Sequence, residues 1–274
     1  MISVITAVHN QRAMNLLFLD RLHANTRHPF ELIVIDNASS DGSGELFERA
    51  GATVLRNAEN LSYPRSQNLG IARARHDWLA FLNNDVIVCP GWDEILVRSM
   101  QANGLDVATS CGIERVESSE ATRALRRRWR LIRNALSPLG TGRVPLQWMH
   151  RLMYPDWEGF CAQRRHRYAG QVHEGFVGNT VMMRRSALDK IGLWDERIQN
   201  ADFDLFLRVA QRRRSHGDMR EVHIALDCFV HHYVRLTVKG GYPPFADRDQ
   251  LIPLEQKWAP EQLAWLPPQE GGAL

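Results

Sequence analysis

Apolar runs and amphipathic stretches alternate along most of the chain, and their spacing predicts strands followed by helices. Ile2 to Val8 reads as a buried strand, and a helix carrying Leu16, Leu17, Leu19 and Leu22 follows it. Phe30 to Ile35 is a second strand, cut off by DNASSDGS, after which a helix from Ser43 includes Leu46 and Phe47. Ala52 to Arg56, a helix over Ser66 to Arg75, and the strand Trp78 to Leu82 continue the series, which then meets the tripeptide NND. A helix from Trp92 to about Asn103 and a strand near Val107 to Cys111 complete this half. Strands and helices at this spacing predict an α/β fold, Rossmann-like, with a mostly parallel central sheet flanked by helices.

The periodicity weakens from about Glu114 to Val172, where the composition turns basic and aromatic. Regular order resumes with Phe176 to Met183, a helix around Ser186 to Ile191, a helix from Ala201 to Arg212 and a strand from Val222 to His231. The last segment, rich in Pro, Trp and Leu, is expected to pack on the core. The resulting division is a first α/β half over 1–112, a variable basic and aromatic insertion over 113–175, a second half over 176–240 and a C-terminal extension over 241–274.

With 274 residues, 44% of them hydrophobic, the chain is long enough for one substantial core. Cys89, Cys111, Cys161 and Cys228 show no CxxC spacing and follow no secretory signal, so reduced thiols are expected rather than a zinc site or disulfide framework. No apolar stretch approaches the length of a membrane span, and a cytoplasmic enzyme is the expectation. The net charge of +3 is too small to imply nucleic acid, and no such partner is expected. The charge is unevenly placed: Arg123, Arg126, Arg127, Arg128, Arg130 and Arg133 crowd one segment.

The chemistry-bearing residues fall after successive strands, where an open parallel sheet forms its ligand crevice. Asp36 is placed to accept hydrogen bonds from a nucleobase or ribose, or to make an Asx-turn and helix cap; Asp41 has the same two readings. Arg65 is a candidate for the diphosphate and Asn68 for the nucleotide, while Gly70 permits either close backbone approach or ordinary helix packing. Asp85 ends the strongly apolar WLAFL strand; a carboxylate there is costly unless paired, and useful if it holds a divalent cation between phosphates. By spacing alone, NND also makes a turn.

The segments ISVITAVHNQ, ELIVIDNASSDGS, ENLSYPRSQNLGIARA and DWLAFLNNDVIVCPGW, in that order, resemble the inverting GT-A glycosyltransferases of family 2, particularly bacterial rhamnosyltransferase-like members. The resemblance covers about the first 110 residues and resumes near Gly178 with GFVGNTVMMRRSALDKIGLWDE and RIQNADFDLFLRVAQR. It implies a GT-A fold and an inverting transfer, dependent on Mn2+ or Mg2+, from a UDP- or dTDP-linked sugar to a glycan or lipid-linked acceptor. It further implies donor contacts from the Val8 region, Asp36, Asn83 and Asn84, with Asp85 as metal ligand in the counterpart of the Asp-x-Asp motif. Asp202 is implied as the general base, with Ala201 standing where the family pattern has Glu. On the residues alone, a cap of its helix is the favoured reading of Asp202, and the resemblance is what turns it to the base. Asp204 is assigned beside it on the acceptor side, as a structural or neighbouring polar residue. A histidine after the DCFV strand is implied at the metal or pyrophosphate, with His231 preferred over His232. Arg235 and Lys239 either hold the diphosphate or belong to a solvated loop.

In the insertion, Leu125, Trp129, Ile132 and Leu136 fall at helical spacing among arginines. They read either as a basic amphipathic helix at an anionic membrane surface, on the inner face, or as an apolar stripe packed on the enzyme. Trp148, Tyr154 and Trp157 suit a sugar platform or a core, and His173 and Glu174 are placed to line the acceptor pocket. Homodimerisation is left open by the sequence. The competing functions are a catalytically inactive nucleotide-sugar-binding or scaffold protein of the same fold, for which the absent Glu argues, a retaining transferase, and a sugar-phosphate nucleotidyltransferase. The lack of an N-terminal Gly-rich phosphate loop with its Lys argues against the last of these.

Overall fold

The structure, a computed structural model, describes residues 1–236 and 243–267. Nine strands among them form one mixed sheet. β1 (Ile2–Val8), β2 (Phe30–Asn37), β3 (Thr53–Asn57) and β4 (Trp78–Leu82) pair in parallel, in the order β3-β2-β1-β4. The sheet continues through β8 (Thr180–Arg184), β6 (Val107–Gly112), β9 (His223–His232) and β5 (Val86–Val88). β8 is antiparallel to both its neighbours, and β5 and the short β7 (Val172–Glu174) run antiparallel to β9. The chain leaves β1 towards β2 on one side and returns to β4 on the other. This order reversal opens a crevice at the carboxyl ends of β1 and β4.

Apolar residues on both faces of β1 and β2 explain why helices cover the sheet on two sides. Val4, Val8 and Val34 belong to a buried cluster with Met14, Leu17, Phe18 and Leu22 of α1 (Arg12–Asn25) and Phe47 of α2 (Ser43–Arg49). Ile5, Ile33 and Ile35 point the other way, into a cluster with Ile71 of α3 (Tyr63–Arg73), Ala187 of α8 (Arg185–Ile191) and Phe206 of α9 (Ala201–His216). α4 (Trp92–Asn103) begins after Gly91, whose φ of 71° is left-handed, and ends at Gly104, with φ 60°. The four cysteines are buried and free.

The weakly periodic segment is helical. α5 (Ser119–Leu136) is capped by the Ser118 side chain, which accepts from the Ala121 amide, and α7 (Trp157–Arg167) by Asp156, which accepts from Gly159. α6 (Arg143–Met153) lies between them. The stripe expected on α5 turns inward: Trp129 is fully buried and Leu125, Ile132 and Leu136 pack partly buried beside it. Trp157 joins His150, Tyr154, Phe160 and Phe229 in an aromatic core and is not a sugar platform. Tyr154 is buried there too, whereas Trp148 is exposed. The C-terminal turns Leu254–Lys257 and Pro260–Leu263 pack as expected, with Leu254 and Trp258 against Ile198 and Leu207.

Of the two roles open to Gly70, the structure shows packing: a Cβ at this position would lie 2.3 Å from Ile5 Cγ2. Gly70→Ala is expected to cost about 1–3 kcal/mol of stability by overpacking. In chemical denaturation, combination with Ile5→Ala should cost less than the sum of the two single losses.

Candidate active site

Two adjoining clefts open at the carboxyl ends of β1 and β4. The larger, of about 550 Å³, is lined by Ala7, His9, Gln11, Asn37, Asn84, Asp85, Val234 and Arg235, among others. The second, of about 310 Å³, is lined by Glu114, Gly178, Asn179, Ala201 and Asp202. Tyr63, Asn83, Gln199 and His232 face both.

The floor of the larger cleft is a set of interlocked loops. Asn10 and Gln11 follow β1 with φ of 56° and 66°, in the left-handed region, and Ala38 follows β2 with φ of 57°. Asn10 holds this geometry by accepting from the Ser40 amide at 2.8 Å and donating its own amide to Ser39 Oγ at 2.8 Å. His9 Nδ1 lies 2.6 Å from the Asn37 carbonyl oxygen. The NND segment is fixed on several sides. Asn83 donates its amide to the Asn179 carbonyl, Asn84 Nδ2 donates to Asn15 Oδ1 at 2.7 Å, and the Asp85 carbonyl accepts from the Tyr233 amide.

Strand register delivers the histidine. Val86 of β5 sits opposite His232 of β9, so the Asp85 carboxylate meets the His232 ring, with Oδ1 3.2 Å from Nε2. The other ring nitrogen, Nδ1, contacts Glu114 Oε1. Burial opposes protonation of His232, but the carboxylates of Asp85 and Glu114 outweigh it and hold the imidazole well above its ordinary range. Burial would also raise Glu114, and the charge of His232 and its hydrogen bond bring that carboxyl below its usual value.

Asp202 stands in the first turn of α9, where its Oδ1 accepts from the Phe203 amide at 2.9 Å. Gly178 makes room for it: a Cβ there would lie 2.1 Å from Asp202 Oδ2. Burial pushes the Asp202 carboxyl up to about 6, against hydrogen bonds from the Phe203 amide and its own. Tyr63 is raised by burial and by the charge of Asp202. The Tyr63 hydroxyl, Asn179 Oδ1 and Gln199 Oε1 are buried without a hydrogen-bond partner among the described residues, which leaves polar atoms available where the clefts meet.

The model of glycosyl transferase family 2 matches residues 3–192. The chain belongs to that family. An uncharacterized glycosyltransferase of Haemophilus influenzae is 30% identical over 104 residues, which cover 38% of this chain and 35% of that protein. Among solved structures, the mannosyltransferase PcManGT of Pyrobaculum calidifontis, in complex with GDP-Man and Mn2+, superposes with a TM-score of 0.55 at 14% identity, covering 88% of this chain and 58% of the other. TarS of S. aureus gives 0.53 at 12% identity, over 85% and 36% of the two chains. A shorter form, residues 1–349 in complex with UDP-GlcNAc, gives 0.51 at 13%, over 88% and 61%. The chain therefore spans about a third of the Haemophilus protein and under two thirds of these structures, and at such identities the likeness to them is one of fold, the GT-A fold.

On that frame, several family-implied residues lie elsewhere than expected. The Val8 side chain is buried in the core, and its neighbours Ala7 and His9 face the cleft instead. Asp36 turns to the α2 side, where it accepts from the Ser39 amide and lies 3.5 Å from Arg56, so the Asx-turn reading holds and Asn37 takes the cleft position. Asp41 likewise accepts from the Arg12 and Ser43 amides. Arg65 is engaged by Glu196 and Gln250, and Asn68 clamps Trp194 and Glu196; neither lines the clefts.

His231, preferred in the sequence, is fully buried on the opposite face of β9 among Trp129, Tyr154 and Tyr233, and burial holds its ring well below its ordinary range. His232 is the histidine at Asp85. Asp204 points away from Asp202 and binds Arg208, Trp258 and Lys257, a structural anchor rather than an acceptor-side group. His173 and Glu174 are exposed on β7, paired with the start of β9 and outside both clefts. Arg235 lines the larger cleft, with φ 66°, while Lys239 lies outside the described residues.

Glu114, Tyr63, Asn179 and Gln199 were missed in the sequence. Glu114 carried a readable signal, a carboxylate just beyond the apolar strand β6, similar to that of Asp85 beyond β4. The onset of the insertion hid it.

The Asp202 shift has a testable sign. The fold favours its neutral form; that stabilisation is complete below the ordinary carboxylate range and is lost as pH rises through about 6. Asp202→Asn should therefore be more stable than the parent by about 3 kcal/mol near pH 8, with the difference falling below about 1 kcal/mol near pH 4, as read from denaturant unfolding at both values.

Proposed function

We propose that this chain transfers a sugar, with inversion, from a nucleotide-diphosphate donor to a glycan or lipid-linked acceptor. The observation that carries the reading is the meeting of two acidic centres, Asp85 paired with His232 and Asp202 apart from it, in adjoining clefts that share Tyr63, Asn83, Gln199 and His232. The larger cleft suits the nucleotide. Asn37, His9 and Gln11 offer polar groups for base and ribose, Asn83 and Asn84 for ribose or sugar, and Arg235 a positive charge for the diphosphate.

A divalent cation fits the donor set in part. Asp85 would present an oxygen and His232, once a cation displaces the proton its carboxylate neighbours hold on it, a nitrogen, the combination manganese accepts more readily than magnesium. No group of three or more potential ligands forms among the described residues, so donor phosphates and water would have to complete the coordination. When bound, such an ion neutralises charge on the departing nucleoside diphosphate.

The second cleft suits the acceptor. As the acceptor hydroxyl attacks the anomeric carbon, its proton passes to Asp202, the new C–O bond forms and the bond to the nucleoside diphosphate breaks on the opposite face. A carboxyl poised near 6 is ionised at neutral pH yet more basic than an exposed one. Ala201 leaves this cleft without the family's Glu. Glu114 reaches it from the end of β6 and supplies a carboxylate in its place.

With a donor found by screening nucleoside diphosphate release, Asp202→Asn should lower kcat about 10²–10⁴-fold with little change in donor KM. Product NMR should show the inverted anomer. Retained configuration, or near-parental turnover by Asp202→Asn, contradicts the assignment.

A further inference from the structure

The outer face of the α5–α6 hairpin has no role in the chemistry above. Among the described residues, eight large hydrophobic side chains are exposed, and five of them, Leu131, Leu139, Val144, Trp148 and Leu152, fall on this one hairpin. Val144, Trp148 and Leu152 stand at i, i+4 and i+8 of α6 and form a stripe along its outer face. The opposite face of the same helix is spent on the core through Leu146, Met149 and Met153. The stripe is therefore surplus to folding.

Charge accompanies it. Residues 119–153 hold eight arginines against one acidic residue, Glu120, whereas the whole chain carries only +3, so the rest of the chain is net negative. Arg123, Arg127 and Arg130 are exposed on α5 and Arg151 on α6. The two helices are fastened to each other, with Arg128 donating to the Leu152 carbonyl at 2.7 Å. The buried edge of α5 is fastened to the cleft: Trp129 Nε1 and Arg133 donate to the carbonyl of Val234, which lines the larger cleft together with Arg235.

We propose that this face docks on an anionic lipid bilayer, with Trp148 and Leu152 entering the interface and the arginines meeting the headgroups. A protruding tryptophan and leucines flanked by arginines match an interfacial surface, where long cationic side chains keep their charge at headgroup level while apolar ones sink below it. No helix among the described residues is long and apolar enough to cross a membrane, and contact of this kind needs none. The hydrogen bonds to Val234 join the buried edge of α5 to the wall of the larger cleft, so the hairpin that carries the docked face also borders the cleft to which a lipid-borne acceptor would be brought. The docking itself does not depend on the transfer reading, because it is measured without donor or turnover.

The test is co-sedimentation of the full chain with vesicles of phosphatidylcholine, alone or mixed with phosphatidylglycerol. Retention on the anionic vesicles that falls with added salt is expected. Arg127→Glu combined with Arg130→Glu, and separately Trp148→Ser combined with Leu152→Ser, should each lower partitioning by at least about tenfold. All four side chains are exposed, and unchanged thermal midpoints would confirm intact folds. Absence of retention, equal retention on neutral vesicles, or retention untouched by either double variant overturns the proposal. So does a dimer in solution that Trp148→Ser converts to monomer without any vesicle binding, which would make the face a contact between two copies.

Discussion

The pairing of β5 with the end of β9 sets Val86 opposite His232, and the Asp85 side of the candidate site depends on that register. It brings the Asp85 carboxylate, which starts at the switch between β1 and β4, onto an imidazole from a strand more than a hundred residues later. A slip of one residue would present His231 in place of His232 and turn every side chain of the strand to the wrong face. The register is secured from both sides, by the Tyr233 amide on the Asp85 carbonyl and by α5 holding the Val234 carbonyl. The basic insertion is thus a support for the cleft as well as a surface of its own.

The Asp202 side of the candidate site rests on one turn of α9. Residues two apart on a helix point roughly in opposite directions, and this turn uses both. Asp202 faces the cleft over the bare backbone of Gly178, while Asp204 is fully buried, ties Trp258 and Lys257 to the helix and pairs with Arg208 one turn on. Asp204 finds three partners and its charge is compensated. Among the described residues Asp202 finds backbone amides but no cation, and burial leaves its carboxyl raised. Two aspartates in one helical turn so acquire different chemistry from their surroundings.

The strands and the order of their acidic loops were legible because apolar runs ending in polar turns carry a strong local signal. NND at a strand end was part of it, and both Asn83 and Asp85 line the clefts. What failed was direction. Asp36 and Asn37 are neighbours on a strand, as are His231 and His232, and pattern alone does not show which member of each pair faces the crevice. Arg65 and Asn68 look available in the sequence because their partners, Glu196 and Trp194, come from more than a hundred residues away. The insertion was legible only in part: Leu125, Trp129, Ile132 and Leu136 give α5 a helical stripe, whereas α7 buries only Trp157, Cys161 and Arg164, too few apolar positions to mark a 3.6-residue period.

In the proposed function, Asp85 and His232 form the metal-assisted end of a nucleotide-sugar site. Isothermal titration of the chain with a panel of nucleoside diphosphates and their sugars, with and without Mn2+, is the decisive measurement. One nucleotide class should bind with Mn2+ present, and Asp85→Ala and His232→Ala should each weaken that binding while His231→Phe should not. Nucleotide binding of equal strength without the metal and in both variants, or no binding to any member of the panel, would contradict this reading.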